Sequence, residues 1–163
     1  MSTTTTELRI HLRTLLGNGH AHMGFDDAVR NFPLDRINDH APNVPYTPWH
    51  LLEHMRLTQR DSLDYMRDAN YTAPEWPAGF WPDESATADE SAWNATIESF
   101  RRDHADYVAI VNDDSLDLSA PIPSNPHHTL LRSIMIIAAH NHYHTGEFAI
   151  LRQVMGTWPA DHD

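Results

Sequence analysis

Residues 129–156 read TLLRSIMIIAAHNHYHTGEFAILRQVMG, and this pattern predicts one long helix. Thr129 can cap the first turn through its hydroxyl oxygen, and Gly156 suits the position just past the last turn. At about 100° per residue, Leu130, Ile137 and Phe148 fall on one side of the helix and form an apolar stripe. The segment therefore favours a fold in which helices pack against one another.

Helical patterns also dominate the rest of the chain, and no run of alternating polar and apolar residues predicts a strand. A first helix is expected from residue 5 or 6 to about residue 31. Gly17 and Gly19 are the points at which this helix can kink, because glycine is a weak helix former.

Two further helices begin at recognisable start signals. Thr47 as N-cap and Pro48 in the first turn predict a helix that runs to about residue 69. Thr87 followed by Glu90 forms a candidate capping box for another helix that reaches about residue 112. Four helices joined by medium-length connections predict an all-α fold, a four-helix bundle, in a single domain that spans residues 1–163.

The charge balance and residue usage exclude several classes of function. The 163 residues include 11 basic and 23 acidic side chains, which give a net charge of −12. Because this charge repels phosphates and anionic membrane surfaces, we expect no nucleic-acid or membrane partner. All basic residues are arginine and there is no cysteine, which excludes lysine Schiff bases and thiol nucleophiles of the chain itself. A soft nucleophile would have to arrive with a substrate.

The chain is expected to be soluble and cytoplasmic. Its first residues, MSTTTTELRIHL, lack the basic start and apolar stretch that are typical of a secretory signal. The longest apolar run, residues 134–139, is far shorter than the roughly 20 residues that a membrane span requires. The absence of cysteine agrees with a reducing compartment.

Histidines provide the main candidate for a functional site, since the chain has 13 of them and imidazole is a frequent ligand of zinc and nickel. His140 and His144 fall inside the apolar stripe of the last helix, and their spacing of four lets both rings reach one ion. The second helix offers His50 and His54, of which we favour His54 because it lies deeper in its helix. The predicted metal ligands are therefore His54, His140 and His144, a set that leaves an open coordination position.

The alternative for these histidines is an ordinary core role, because a lone histidine on an apolar face is more often hydrogen-bonded than metal-bound. Two histidines on one stripe, with a third available, favour the metal site. The roles of His20, His22 and His50 stay open at this point.

Glu147 is the candidate catalytic residue, because it is aligned with His140 on the helical wheel. It could orient a ligand imidazole through a hydrogen bond or act as a general base, and a solvated glutamate on the flank of the helix is the alternative. Asp61 is a similar candidate, for which an ion pair with an arginine is the alternative. The zinc-protease pattern H-E-x-x-H is not met, because Asn141 follows His140.

Two motifs resemble the signature regions of the DinB-like superfamily: W-H-L-L-E-H at residues 49–54, and H-N-H-Y-H-T-G at residues 140–146 with L-R at 151 and 152. Ala21-His22, the Trp-Pro pairs of residues 76–82 and Trp93 extend this resemblance over nearly the whole chain. The chain departs from many members by having Ala139 in place of an acidic residue and Glu147 in place of glutamine.

The resemblance implies a four-helix bundle in up-down-down-up order, often a homodimer, that holds a divalent metal through His54, His140 and His144. Some members transfer low-molecular-weight thiols such as bacillithiol, and others are mycothiol-dependent isomerases. The expected cofactor is a divalent metal, zinc or nickel, and the expected partners are a small-molecule substrate, a low-molecular-weight thiol among the candidates, and a second copy of the chain.

We therefore expect a metal-dependent enzyme, a transferase or a hydrolase, that activates a water molecule or a low-molecular-weight thiol for attack on a small electrophile. The aromatic segment of residues 76–81 is expected to form part of an apolar mouth, with plain packing over the bundle end as the alternative. A non-catalytic metal-binding module that acts in stress response or dimerisation is the alternative function. A purely structural role of the three histidines is a third.

Overall fold

The computed structural model describes residues 3–17 and 21–160. This part of the chain is mostly helical, as predicted, with four long helices, a short helix, a 3₁₀ turn and a two-stranded hairpin. In chain order the elements are α1 (Thr3–Leu16), α2 (Phe25–Val29), the 3₁₀ turn (Leu34–Arg36), α3 (Pro48–Arg67), α4 (Glu90–Asn112), β1 (Pro121–Ile122), β2 (Asn125–Thr129) and α5 (Leu130–Met155). None of the described helices is both long and apolar enough to cross a lipid bilayer.

The prediction of one long first helix is wrong. Helix α1 ends at Leu16, and α2 is a separate helix of five residues. Gly17 completes the last turn of α1 by donating its amide to the carbonyl of Arg13 at 3.0 Å. Glycine costs about 1 kcal/mol in a helix interior, so the helix ends next to Gly17 instead of kinking there. The second predicted kink, at Gly19, lies outside the described residues.

The helix starts follow the capping residues closely. Thr47 caps α3 by accepting a hydrogen bond from the amide of His50, and Thr129 caps α5 in the same way from Arg132. Both caps were predicted. Helix α4 begins after Asp89, whose carboxylate accepts from the amide of Ala92, so the predicted capping box at Thr87 is wrong.

The ends of α3, α4 and α5 agree with the sequence to within two residues. Helix α3 ends at Arg67, against a predicted end near residue 69. Helix α5 ends at Met155, as predicted, and Gly156 follows with φ of 63° in the left-handed region. Glycine suits that conformation because it has no Cβ to clash.

A short antiparallel hairpin lies in the connection between α4 and α5, although the sequence predicted no strand. Pro121 of β1 pairs with Thr129 of β2, and Ile122 pairs with Asn125. The hairpin contains only two and five residues in its strands, too few to show an alternating pattern. It leads the chain directly into the N-cap of α5.

Helix α3 lies between α4 and α5 and contacts both, and α1 and α2 pack against this group. Two apolar clusters form the core. One contains Leu63 of α3 and Ile134 of α5, and the other contains Leu52 of α3 and Phe148 of α5. Each of these four side chains is at least 99% buried.

A buried polar layer lies between the two apolar clusters along α3 and α5. The amide group of Asn141 donates to Gln59 at 2.7 Å, and Gln59 donates to the carbonyl of Phe100 at 2.7 Å. His54 and His144 belong to the same stretch and are also buried. Because buried polar groups need partners, this layer fixes how α3 and α5 face one another.

Candidate metal centre

Helices α3 and α5 bring together the three histidines that the sequence selected. The Nε2 atom of His54 lies 3.2 Å from Nε2 of His144 and 3.2 Å from Nε2 of His140. The candidate ligand atoms of all three residues lie within 4.8 Å of one another. Within residues 3–17 and 21–160, this is the group of histidine and acidic side chains that could hold a metal ion.

The spacing of the nitrogens fits a shared cation. Two nitrogens bound to one Zn²⁺ at about 2.05 Å lie about 3.3 Å apart at a tetrahedral angle and about 2.9 Å apart at a right angle. The 3.2 Å separations around His54 are closest to the tetrahedral value. Three imidazoles without a thiolate or a fourth protein ligand form the kind of set that leaves a position for water or substrate.

In two of these rings, the hydrogen bond made by Nδ1 determines which ring nitrogen is free to bind a metal. Nδ1 of His54 donates to the carbonyl of Phe80 at 2.8 Å, and Nδ1 of His144 donates to the carboxylate of Glu147 at 2.6 Å. Each ring therefore presents an unprotonated Nε2 to the centre of the group. Unprotonated nitrogens repel one another at such distances, and a cation between them removes this repulsion.

Burial keeps two of the rings neutral. It lowers the pKa of His54 to about 4, an effect that the hydrogen bond to Phe80 partly offsets and the neighbouring His144 reinforces. Burial also lowers the pKa of His140 to about 4, and the nearby His144 and His54 rings add to the effect. Since a metal binds only the neutral ring, both residues are ready to act as ligands at neutral pH.

Part of the predicted aromatic segment covers the histidine group. The indole of Trp81 stacks on the His54 ring, with centroids 3.9 Å apart and planes within 5°. Trp76, in contrast, is 68% exposed and contacts the ring of Phe80. Gly79 allows the segment to fold this tightly, because a Cβ there would lie 2.3 Å from the Cβ of Pro74. Trp81 and Phe80 are thus the members of the predicted apolar mouth that touch the site.

Glu147 has both carboxylate oxygens engaged. One accepts the hydrogen bond from His144 and the other accepts from the hydroxyl of Tyr46. Burial raises the pKa of Glu147, but the hydrogen bonds from His144 and Tyr46 lower it further, so the pKa lies below its ordinary value. Burial and the bond to Glu147 raise the pKa of Tyr46. Of the two predicted roles of Glu147, this arrangement supports orientation of His144.

The remaining sequence candidates lie elsewhere. His50 completes the cap of α3 and has its Nε2 2.8 Å from the carbonyl of Ala86, which gives it a structural role. His22 packs against His142 on another side of α5, with ring centroids 3.7 Å apart. Asp61 accepts a hydrogen bond from the hydroxyl of Tyr71 at 2.6 Å. His20 lies outside the described residues.

Two residues at the site were not predicted. Tyr46 directly precedes the N-cap of α3, and neither its type nor its position in the sequence indicates a contact with Glu147, 101 residues away. Asn141 was noted only because it breaks the protease pattern, yet its amide connects α5 to Gln59 of α3. The signal that the sequence offered for this contact was the position of an asparagine next to a predicted ligand histidine.

Comparison with known proteins gave no relative: no family model, no curated protein and no solved structure matches this chain. The resemblance to the DinB-like superfamily therefore rests on the residues and motifs of this sequence alone. Membership of that family remains a prediction from the sequence.

Proposed function

We propose that the chain is a DinB-like, divalent-metal-dependent enzyme that activates a water molecule or a low-molecular-weight thiol for attack on a small electrophile. The observation that supports this most is the position of Nε2 of His54, which lies 3.2 Å from Nε2 of His140 and 3.2 Å from Nε2 of His144. When bound there, a divalent metal would lower the pKa of a water or thiol ligand toward neutrality. Zinc is the first candidate and nickel the second, because the spacing is close to tetrahedral.

The residues of the chain prepare this centre in three ways. His54, His140 and His144 supply the ligand nitrogens. Glu147 holds the ring of His144 in place and supplies a negative charge beside it. Trp81 covers one face of His54 and limits the access of water. A thiol nucleophile would come from solution, since the chain has no cysteine.

We further propose that the four long helices form the up-down-down-up bundle of that superfamily and that two copies pair through the outer face of α5. This face carries exposed apolar side chains: Met135, Tyr143, Ile150 and Val154. In an antiparallel pair of α5 helices, Tyr143 of each copy would lie opposite Gly146 of the other, where a side chain meets open space. Uncharged contacts suit a chain whose net charge of −12 otherwise opposes self-association. Cytoplasmic localisation remains a prediction from the sequence.

The test is turnover of a model electrophile by zinc-loaded and nickel-loaded protein, with water alone and with a panel of bacterial thiols. We expect turnover that is lost after chelation and in His54→Ala. His127→Ala is the matched control, because His127 is an exposed histidine of β2 away from the group. Metal binding that depends on His54 without turnover would support the non-catalytic module instead. Loss of thermal stability on chelation without any exchangeable ligand position would support a structural role.

A further inference from the structure

A cavity of about 300 Å³ between α3 and α5 ends at His140. Ile136 and Ile137 form an apolar part of its wall, and the hydroxyl-bearing Thr58 and Ser62 lie on the α3 side. A water molecule occupies about 30 Å³ of liquid, so the cavity suits a molecule of about ten non-hydrogen atoms. Its position allows a bound small molecule to approach the histidine group.

The cavity carries one basic and one acidic side chain. Arg132 of α5 is exposed at its rim, and in the part of the chain that the structure describes its guanidinium has no acidic partner. Asp61 lies on the α3 side, and one of its oxygens accepts from Tyr71. Burial raises the pKa of Asp61 above its ordinary value, and the bond from Tyr71 offsets part of this effect. No ion pair joins Arg132 to Asp61, so both charges are available to a ligand.

We propose that this cavity binds a small zwitterion of the amino-acid type, with its carboxylate at Arg132 and its ammonium group at Asp61. The side chain of the ligand would extend along Ile136 toward His140. A bare carboxylate would be repelled by Asp61, and a bare amine by Arg132, so the two charges together select a molecule that carries both. That this molecule serves as the thiol cosubstrate rests on the proposed function. In that case the cosubstrate would resemble cysteine.

The test measures binding to the metal-free full-length chain by NMR titration, so that metal chemistry does not enter. The probes are S-methyl-L-cysteine, which carries both charges, 3-(methylthio)propionate, which lacks the ammonium group, and 2-(methylthio)ethylamine, which lacks the carboxylate. We expect S-methylcysteine to bind about tenfold tighter than either single-charge probe, because each lacks one charge-assisted hydrogen bond.

Two variants assign the two charges. In Arg132→Gln, S-methyl-L-cysteine is expected to bind no tighter than 2-(methylthio)ethylamine. In Asp61→Asn, it is expected to bind no tighter than 3-(methylthio)propionate. Asparagine keeps a carbonyl oxygen for Tyr71, which protects the local structure. Arg102→Gln is the matched control, since Arg102 is an exposed arginine of α4 whose guanidinium donates to Ser99.

Equal affinity for the three probes, or the same affinities in Arg132→Gln and Arg102→Gln, would overturn the zwitterion site. If zinc-loaded protein still turned over a thiol in that case, the proposed function would stand and the zwitterion site alone would be refuted. The opposite result, charge-dependent binding without turnover of any thiol, would keep the site and refute the enzyme proposal.

Discussion

Replacing Glu147 by glutamine tests whether this carboxylate holds His144 for metal binding. Glutamine has nearly the same size and keeps one oxygen that can accept from Nδ1 of His144, but it loses the negative charge. Removing such a partner of a ligand histidine typically weakens metal affinity by about 10–100-fold. Because glutamine keeps an acceptor within reach of the present 2.6 Å bond, we expect about tenfold for Glu147→Gln and about 100-fold for Glu147→Ala.

The assay is a competition for Zn²⁺ between the protein and a chromophoric chelator, at neutral pH. Glu98→Gln is the matched control, because Glu98 is an exposed glutamate of α4 that pairs with Arg101. Zinc affinities of Glu147→Gln and Glu147→Ala equal to that of the wild type would refute the orienting role. If Glu147 acts as a general base instead, turnover of the zinc-saturated Glu147→Gln variant should fall by about 10²–10⁴-fold.

Three further predictions follow from the structure. The free energy of unfolding of the metal-free protein should fall as the pH drops from 6.5 toward 4. The reason is that the lowered pKa values of His54 and His140 make the folded chain bind fewer protons than the unfolded chain. Urea titrations in which this free energy does not change with pH would contradict the prediction. Arg152→Met should lower the free energy of unfolding in urea by about 3 kcal/mol, since the fully buried Arg152 donates to three carbonyls that would lose their partner. A decrease of less than about 1 kcal/mol would argue against a stabilising role of these hydrogen bonds. Ile150→Glu should convert the proposed dimer to a monomer in analytical ultracentrifugation while the exposed α4 substitution Asn94→Glu leaves it intact; a monomeric wild type would refute the pairing.

The predicted helix boundaries were most accurate where a capping residue marks them. Thr47 and Thr129 cap their helices through hydrogen bonds of their own side chains to amides three residues ahead, an interaction that depends on local sequence alone. The start of α4 shows the limit of such local signals. Both Thr87 and Asp89 are suitable N-caps, and only the folded chain shows that Asp89 is used.

The shared direction of His140 and His144 was present in the residue pattern, because two side chains four positions apart on one helix point the same way whatever surrounds them. Helical periodicity gives direction around a helix axis, but it carries no information about how far one helix stands from another. The packing of α3 against α5 therefore decided the 3.2 Å approach of His54 to both rings. The same packing placed Tyr46 on Glu147 and Trp81 on His54. Each of these contacts joins residues from different elements, and such contacts exist only after the apolar stripes have come together.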